Sequence, residues 1–499
     1  MEDAGRSQRP VDLLELPGVG RFLRWRHARS ALQLPVFVLS VLMVFDGLTG
    51  PQLAPKNLAT VFTWVHYRGL VVLALLAVGN LFCMVCPFML VRNAARRVLG
   101  RRDPGRMWPA WLRRKWLAVA LFTLMLFAYE LFDLWSTPKW TAWVIVGYFT
   151  GAVMVDLFFR GASFCKYLCP LGQFNFMSSL VSPFEVCVSE QRVCAGCRTK
   201  DCIRGRSSFE ATPPPTAGGS REKAQTDRGC ELWLFQPRKV GNMDCTFCLD
   251  CVRACPHGNV GVASRVPASE LWTDARRSGV GRLSRRSDIA VLAVVFTFGA
   301  LLNAFAMVTP VYALERWLAD SLGTQSEAVI LALLFLGGLV VLPVLLMTPV
   351  AWLTWRLAGR SYRVPFGEWA TRHAYALVPL GFGIWLAHYG FHFLTGFWTF
   401  VPVLQSFAAD VFGLALLGTP MWSLGPLLPM GWLYPLEIGM LGLGWFGSLL
   451  VAYHLAAQDE RRSLWQTFLP WAALLSVLLA VAIWLMGQPM EMRGTFFVG

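Results

Sequence analysis

The sequence predicts an all-α integral membrane bundle of about nine transmembrane helices, interrupted once by a long polar block. Three observations lead there. Hydrophobic residues make up 55% of the 499-residue chain and charged residues only 15%, far from the balance of a water-soluble protein. Apolar stretches of spanning length recur from end to end. One segment between them, from about Arg160 to Arg286, is polar and holds most of the 13 cysteines.

In chain order, the expected spans are Leu32 to Leu48, Leu70 to Leu90, Trp116 to Leu134, Trp140 to Phe159, Ile289 to Val311, Ala328 to Leu353, Ala374 to Leu394, Ile438 to Ala457 and Phe468 to Met486. Each approaches the roughly 20 residues a bilayer requires. The apolar segment from Phe397 to Pro435 is broken by Pro402, Pro420, Pro426, Pro429 and Pro435, and reads as a re-entrant or interfacial excursion. The basic N-terminal arm runs into the first span without a small-residue cleavage pattern, so that span is expected to act as a signal anchor.

The net charge of +15 would suggest nucleic acid in a soluble protein, but here the charge is confined to loops. Arg21, Arg24, Arg26 and Arg29 precede the first span. Arg92, Arg96, Arg97, Arg101, Arg102, Arg106, Arg113, Arg114 and Lys115 separate the second from the third. Arg356, Arg360, Arg363 and Arg372 follow the sixth, and Arg461 and Arg462 the eighth. With about nine spans all of these runs fall on one side, which the positive-inside rule makes cytoplasmic. The N-terminus is then inside, the C-terminus outside, the setting a bacterial inner membrane, and nucleic acid is not an expected partner. The chain divides into a basic arm (1–30), a four-helix bundle (31–160), a cytoplasmic cysteine block (161–286) with a Pro- and Gly-rich insert at 203–228, and a second bundle of about five helices (287–499).

The cysteines carry the chemistry. Cys245, Cys248, Cys251 and Cys255, in "CTFCLDCVRACP", follow the bacterial ferredoxin run, in which three cysteines grip one cubane and the fourth reaches a neighbouring cluster. A zinc site would also take four thiolates but favours two separated pairs. Upstream, "CAGCRTKDC" supplies Cys194, Cys197 and Cys202, with a longer last spacing and Ile203 where the run would have proline. The crossed pattern assigns Cys194, Cys197, Cys202 and Cys255 to one [4Fe–4S] cluster. The other would take Cys245, Cys248, Cys251 and a ligand from the earlier half, with Cys230 first and Cys187 second. Two further pairs, Cys83 and Cys86 before Pro87 and Cys165 and Cys169 before Pro170, end their spans at the cytoplasmic face and form a weak internal repeat. They could hold a third metal centre, act as a redox disulfide, or simply pack helix ends as small polarisable side chains.

Two "FC…CP" elements on membrane helices followed by a ferredoxin segment resemble the membrane polyferredoxins associated with periplasmic nitrate reductase and nitrous oxide reductase, the NapH/NosR type. The similarity covers about Leu70 to Val262. It implies a bacterial inner-membrane protein that passes electrons between the quinone pool and partner redox proteins, and it does not extend past Ile289.

Histidines add candidate ligands. His373 and His454 are expected near the cytoplasmic ends of the seventh and eighth spans, and His66, His388 and His392 near the outer face. His388 and His392, four residues apart, share a helix face and could bind haem b iron or copper, with packed hydrogen-bonding roles as the alternative. His27 and His257 read as solvated. Asp46, Glu130, Asp133 and Glu437 map to the outer half, where carboxylates either serve proton transfer or sit wetted at helix ends. The expected function is quinone-linked electron transfer through two [4Fe–4S] clusters, as a subunit of an oxidoreductase rather than a stand-alone enzyme. A redox assembly factor for a respiratory metalloenzyme is the first alternative. A redox-sensing transporter, suggested by breaks at Pro343, Pro349 and Pro379, is the second.

Overall fold

The computed structural model describes residues 11–100, 105–207, 226–357, 364–413, 417–424, 426–458 and 464–490. Most of the insert at 203–228, the C-terminal residues 491–499, and Arg101, Arg102, Arg360, Arg363, Arg461 and Arg462 lie outside these. Among the described residues eight helices are long and apolar enough to cross a membrane: α1 (Ala28–Thr49), α2 (Leu58–Val78), α4 (Pro138–Phe158), α5 (Ser287–Phe305), α6 (Glu327–Leu357), α7 (Phe366–Thr395), α8 (Met430–Ala457) and α9 (Leu464–Met486). The third expected span, α3 (Trp116–Leu131), is a shorter apolar helix. Phe397–Phe412 is another, and the described residues between it and α8 include turns and bends.

Two expectations are corrected. The second span does not run from Leu70 to Leu90, because its apolar stretch is punctuated at Gly79. There the backbone takes φ +88°, which a side chain disfavours, and Pro87 then starts a separate helix, Pro87–Val98. The membrane helix instead begins earlier, at Leu58, where Asp46 and Asn57 satisfy its first amides: Asp46 Oδ2 accepts from Leu58 N at 2.6 Å and Asn57 Oδ1 from Ala59 N at 2.9 Å. Nor is the sixth span broken at Pro343 and Pro349. α6 continues through both, with a wider π-type turn at Gly337–Val341 that loosens the ladder next to the residues that cannot donate.

α5 and α7 form the middle of the second bundle, each with most of its surface covered by protein. Their composition is apolar on all sides, as a helix surrounded by other helices requires. Small residues set the spacing. Gly381 packs on Thr297 of α5, and Gly383 packs on Gly444 of α8, where backbones meet without intervening side chains.

The cysteine block sits against one end of this bundle. Its regular structure is slight: β1 (Phe184–Val188) pairs antiparallel with β4 (Val260–Ser264), and β2 (Arg206–Ser207) with β3 (Thr226–Asp227). The segment before α1 joins it, since Asp12 Oδ1 accepts from Val262 N at 2.9 Å and Ser264 N donates to Val11 O at 2.8 Å. Several cations expected as solvated loop charges are buried in this junction. Arg92 pairs with Asp156 and Glu231, both at 3.1 Å, Arg29 with Glu231 at 2.9 Å, and Lys115 with Asp244 at 2.6 Å. A buried charge demands such partners, so these residues dock the block onto the helices in addition to any influence on topology.

Candidate metal centres

The chain returns to itself so that the cysteines form three groups. Cys194, Cys197, Cys202 and Cys255 line one pocket, together with Pro256 and Asn259. Antiparallel pairing of β1 with β4 creates it, because that register brings Asn259 and Cys255, just before β4, beside the loop after β1. Asn259 spans the gap: its Oδ1 accepts from Glu190 N at 2.9 Å, while its Nδ2 donates to Cys194 Sγ at 3.2 Å and its backbone N–H to Cys255 Sγ at 3.4 Å.

Cys230, Cys245, Cys248 and Cys251 form the second group, close enough for their charges to interact. All four are buried. Cys187 stands apart on β1, with Glu185, Lys239 and Asp12 as its charged neighbours. The loop holding this group is wound by non-glycine residues in the left-handed region: Asp244 at φ 62°, Phe247 at 52° and Leu249 at 57° alternate with the cysteines. L-residues adopt that conformation at a cost. Left-handed residues interspersed in this way are the backbone pattern of anion-binding concavities, and the Phe247 N–H bonds the Cys245 sulphur. Cys230 Sγ likewise accepts from Leu234 N at 3.4 Å. Burial pushes the Cys230 thiol up to about 12, with backbone donors opposing it, so this sulphur is a thiolate only when shared with a metal. Among the described residues no three His, Cys, Asp or Glu side chains converge tightly enough for a single metal ion. The donor set of each quartet, four thiols, is that of an iron–sulphur cluster's ligands.

The third group is Cys83, Cys86, Cys165 and Cys169, whose charges also lie within mutual reach. Each pair sits where one short helix ends and a proline begins the next, at Pro87 and Pro170. Gly172 N donates to Cys169 Sγ at 3.2 Å and Asn175 Nδ2 to Cys83 Sγ at 3.5 Å. Cys165 shares a packed core with Cys230, Cys245 and Cys251, at whose margin Cys202 and Cys255 also lie. Asn80, just past α2, donates to Cys245 O at 2.9 Å, and Gly79 abuts the ring of Phe247. Members of all three groups therefore lie in or against one packed cluster.

The histidines are placed differently. His66 has both ring nitrogens engaged, with Val61 O at 3.2 Å and Phe397 O at 2.9 Å. His373 lies between the indoles of Trp369 and Trp471, with Nδ1 on Trp369 O at 3.0 Å, and His454 stacks on Trp272 at 4.5 Å. His66 thus has no ring nitrogen left for a metal, whereas the Nε2 of His373 is buried without a hydrogen-bond partner. His388 and His392 are adjacent, ring centroids 4.9 Å apart, and buried without hydrogen-bond partners at both nitrogens of His388 and at Nε2 of His392. Arg68, in the middle of α2, was not singled out among the basic runs, although an arginine inside an apolar stretch is the signal that marks it. It is enclosed by the rings of Trp64, Tyr129 and Tyr389 at 4.5, 4.4 and 4.7 Å. Glu231, between Arg29 and Arg92, carried no sequence signal at all.

The chain matches no protein-family model, no curated protein and no solved structure in the comparisons made.

Proposed function

We propose that this is a membrane-bound iron–sulphur electron-transfer protein that links the quinone pool to a redox partner through two [4Fe–4S] clusters. One would be held by Cys194, Cys197, Cys202 and Cys255, the other by Cys230, Cys245, Cys248 and Cys251. The observation that carries the reading is the second quartet itself, four buried cysteines on a loop in which three non-glycine residues accept left-handed backbone. A bound anionic cluster would offset that strain. Such clusters supply one-electron transfer. The protein's part is to hold the thiolates, donate N–H···S hydrogen bonds that favour the more reduced state, and exclude water from the buried quartet. The third cysteine group, at the helix ends and packed against the others, offers the route to a lipid-soluble donor or acceptor.

Anaerobically purified protein should contain about eight irons per chain with matching sulphide, and a low-temperature EPR signal after reduction. Cys248→Ser and Cys197→Ser should each lose about half of the iron. Stoichiometric zinc with no iron-dependent EPR signal would exclude the proposal.

A further inference from the structure

A cavity of about 230 Å³ lies inside the first bundle, bounded by α1, α2, α3, α4 and α7. Its walls are almost wholly apolar and aromatic, including Phe82, Phe122, Phe174 and Trp385. The exceptions are informative. Three of its lining residues, Thr63, Tyr67 and Tyr148, carry buried hydroxyls that have no hydrogen-bond partner. An unpartnered hydroxyl in such a place costs about 1–3 kcal/mol, so three around one cavity point to a ligand that satisfies them. Arg68 lines the same space and adds a fixed positive charge. At the cavity's other side lie Pro87 and Pro170, which directly follow Cys86 and Cys169. Tyr67 and Tyr148 are near enough to those thiols for their charges to interact.

We infer that this cavity binds the head ring of a membrane quinone, with Tyr67, Tyr148 and Thr63 donating hydrogen bonds to its ring oxygens. The chemistry selects this occupant. The site is inside the membrane-spanning bundle, so its ligand arrives from lipid. Flat aromatic walls suit a planar ring, and the hydroxyls require acceptors, which an acyl chain lacks. The volume is below the roughly 300–1,000 Å³ of pockets that enclose a whole ligand, consistent with a head ring inside and an isoprenoid tail left among the helices. Arg68 draws carbonyl oxygen by charge, and its own position is set by the three rings that enclose it. The inference rests on the electron-transfer reading for its purpose, though not for its geometry: it locates the quinone beside the Cys83, Cys86, Cys165 and Cys169 group.

The test is calorimetric titration of a short-chain benzoquinone into the purified, cluster-loaded protein in lipid nanodiscs. Tyr148→Phe and Tyr67→Phe each remove only a hydroxyl that has no protein partner, so folding is preserved. Each should weaken binding about five- to tenfold, and both together more, with iron content unchanged. Two results would overturn the site: equal affinity in parent and variants, or no binding beyond that of empty nanodiscs, with only phospholipid retained. The two proposals fail separately. Iron-loaded protein that ignores quinone defeats the site alone, and iron-free protein that binds quinone through these tyrosines defeats the electron-transfer reading alone.

Discussion

Glu231 is gripped by two guanidinium groups from different helices. Arg29 Nη2 meets its Oε1 at 2.9 Å, Arg92 Nη2 its Oε2 at 3.1 Å, and Thr246 donates to Oε1 at 3.1 Å. Burial favours the neutral acid, but Arg29 and Arg92 outweigh it and hold the carboxyl well below its ordinary range. The folded-state value is thus depressed. Its stabilisation is fully present above the unfolded value of about 4.3 and is lost as pH falls through the folded value. Glu231→Gln leaves both buried cations facing an amide and should cost about 3–5 kcal/mol, seen as a lower thermal midpoint at neutral pH. Below pH about 4.3, where the parent loses this contribution, the gap between the two proteins should narrow; a gap independent of pH would mean that the ion pairs do not hold the block. No local pattern announces this residue. It lies 202 positions from Arg29 and beside Cys230, and only the fold joins them. Cysteine spacing is different, because ligands of one cluster face must be close in sequence. That is why Cys245, Cys248 and Cys251 could be grouped by spacing, whereas grouping Cys230 with them took an inference about the other half of the block.

At the scale of elements, the close crossing of α7 and α8 depends on glycine. A Cβ on Gly444 would lie 2.7 Å from Pro379 O and 2.9 Å from Gly383 Cα, while one on Gly442 would meet nothing within 4 Å. Gly444→Val should therefore destabilise the bundle by about 1–3 kcal/mol through overpacking, measured as reduced thermal stability in detergent. Gly442→Val, two residues away on the same helix, should leave it unchanged. Equal loss in both would assign the effect to helix propensity rather than to the crossing. Helix existence was legible from apolar length, since lipid leaves the backbone no partner but itself. Helix boundaries were less so. Leu58–Val78 was displaced toward Leu70 to Leu90 because hydropathy alone cannot register the turn at Gly79, and the histidine and arginine inside α2 interrupt the apolar run without interrupting the helix. His66 shows the same limit: its partners, Val61 O and Phe397 O, depend on the return of a distant segment.

At the scale of the molecule, contacts between remote segments restrict how the chain can thread a membrane. The segment before α1 bonds to β4 through Asp12 and Val11, so it lies on the same side as the block that follows α4. The intervening helices must then make an even number of crossings. α1, α2 and α4 are three long helices, so the arrangement predicts that the sixteen-residue α3 makes the fourth crossing. At 1.5 Å per residue it measures about 24 Å, short of a hydrocarbon core of roughly 30 Å, and the turns from Phe132 to Thr137 complete the distance. The second bundle obeys the same condition. Gln458, after α8, donates to Trp272 O in the block at 3.0 Å, and Ser284 reaches Glu368 of α7 at 3.3 Å. At the opposite end Thr309, after α5, donates its N–H to Pro489 O, after α9, at 3.2 Å. Together with the basic runs, this arrangement predicts that the block faces the cytoplasm and that the ends of α5 and α9 face outward. Alkaline phosphatase fused after Arg286 should be inactive in a bacterial host, and fused after Leu322, beyond α5, it should be active. A fusion after Leu134 should also be active, as the fourth crossing by α3 requires. Activity after Arg286 would reverse the orientation of every helix, whereas inactivity after Leu134 alone would leave α3 on one side and break the parity that joins the N-terminal segment to β4.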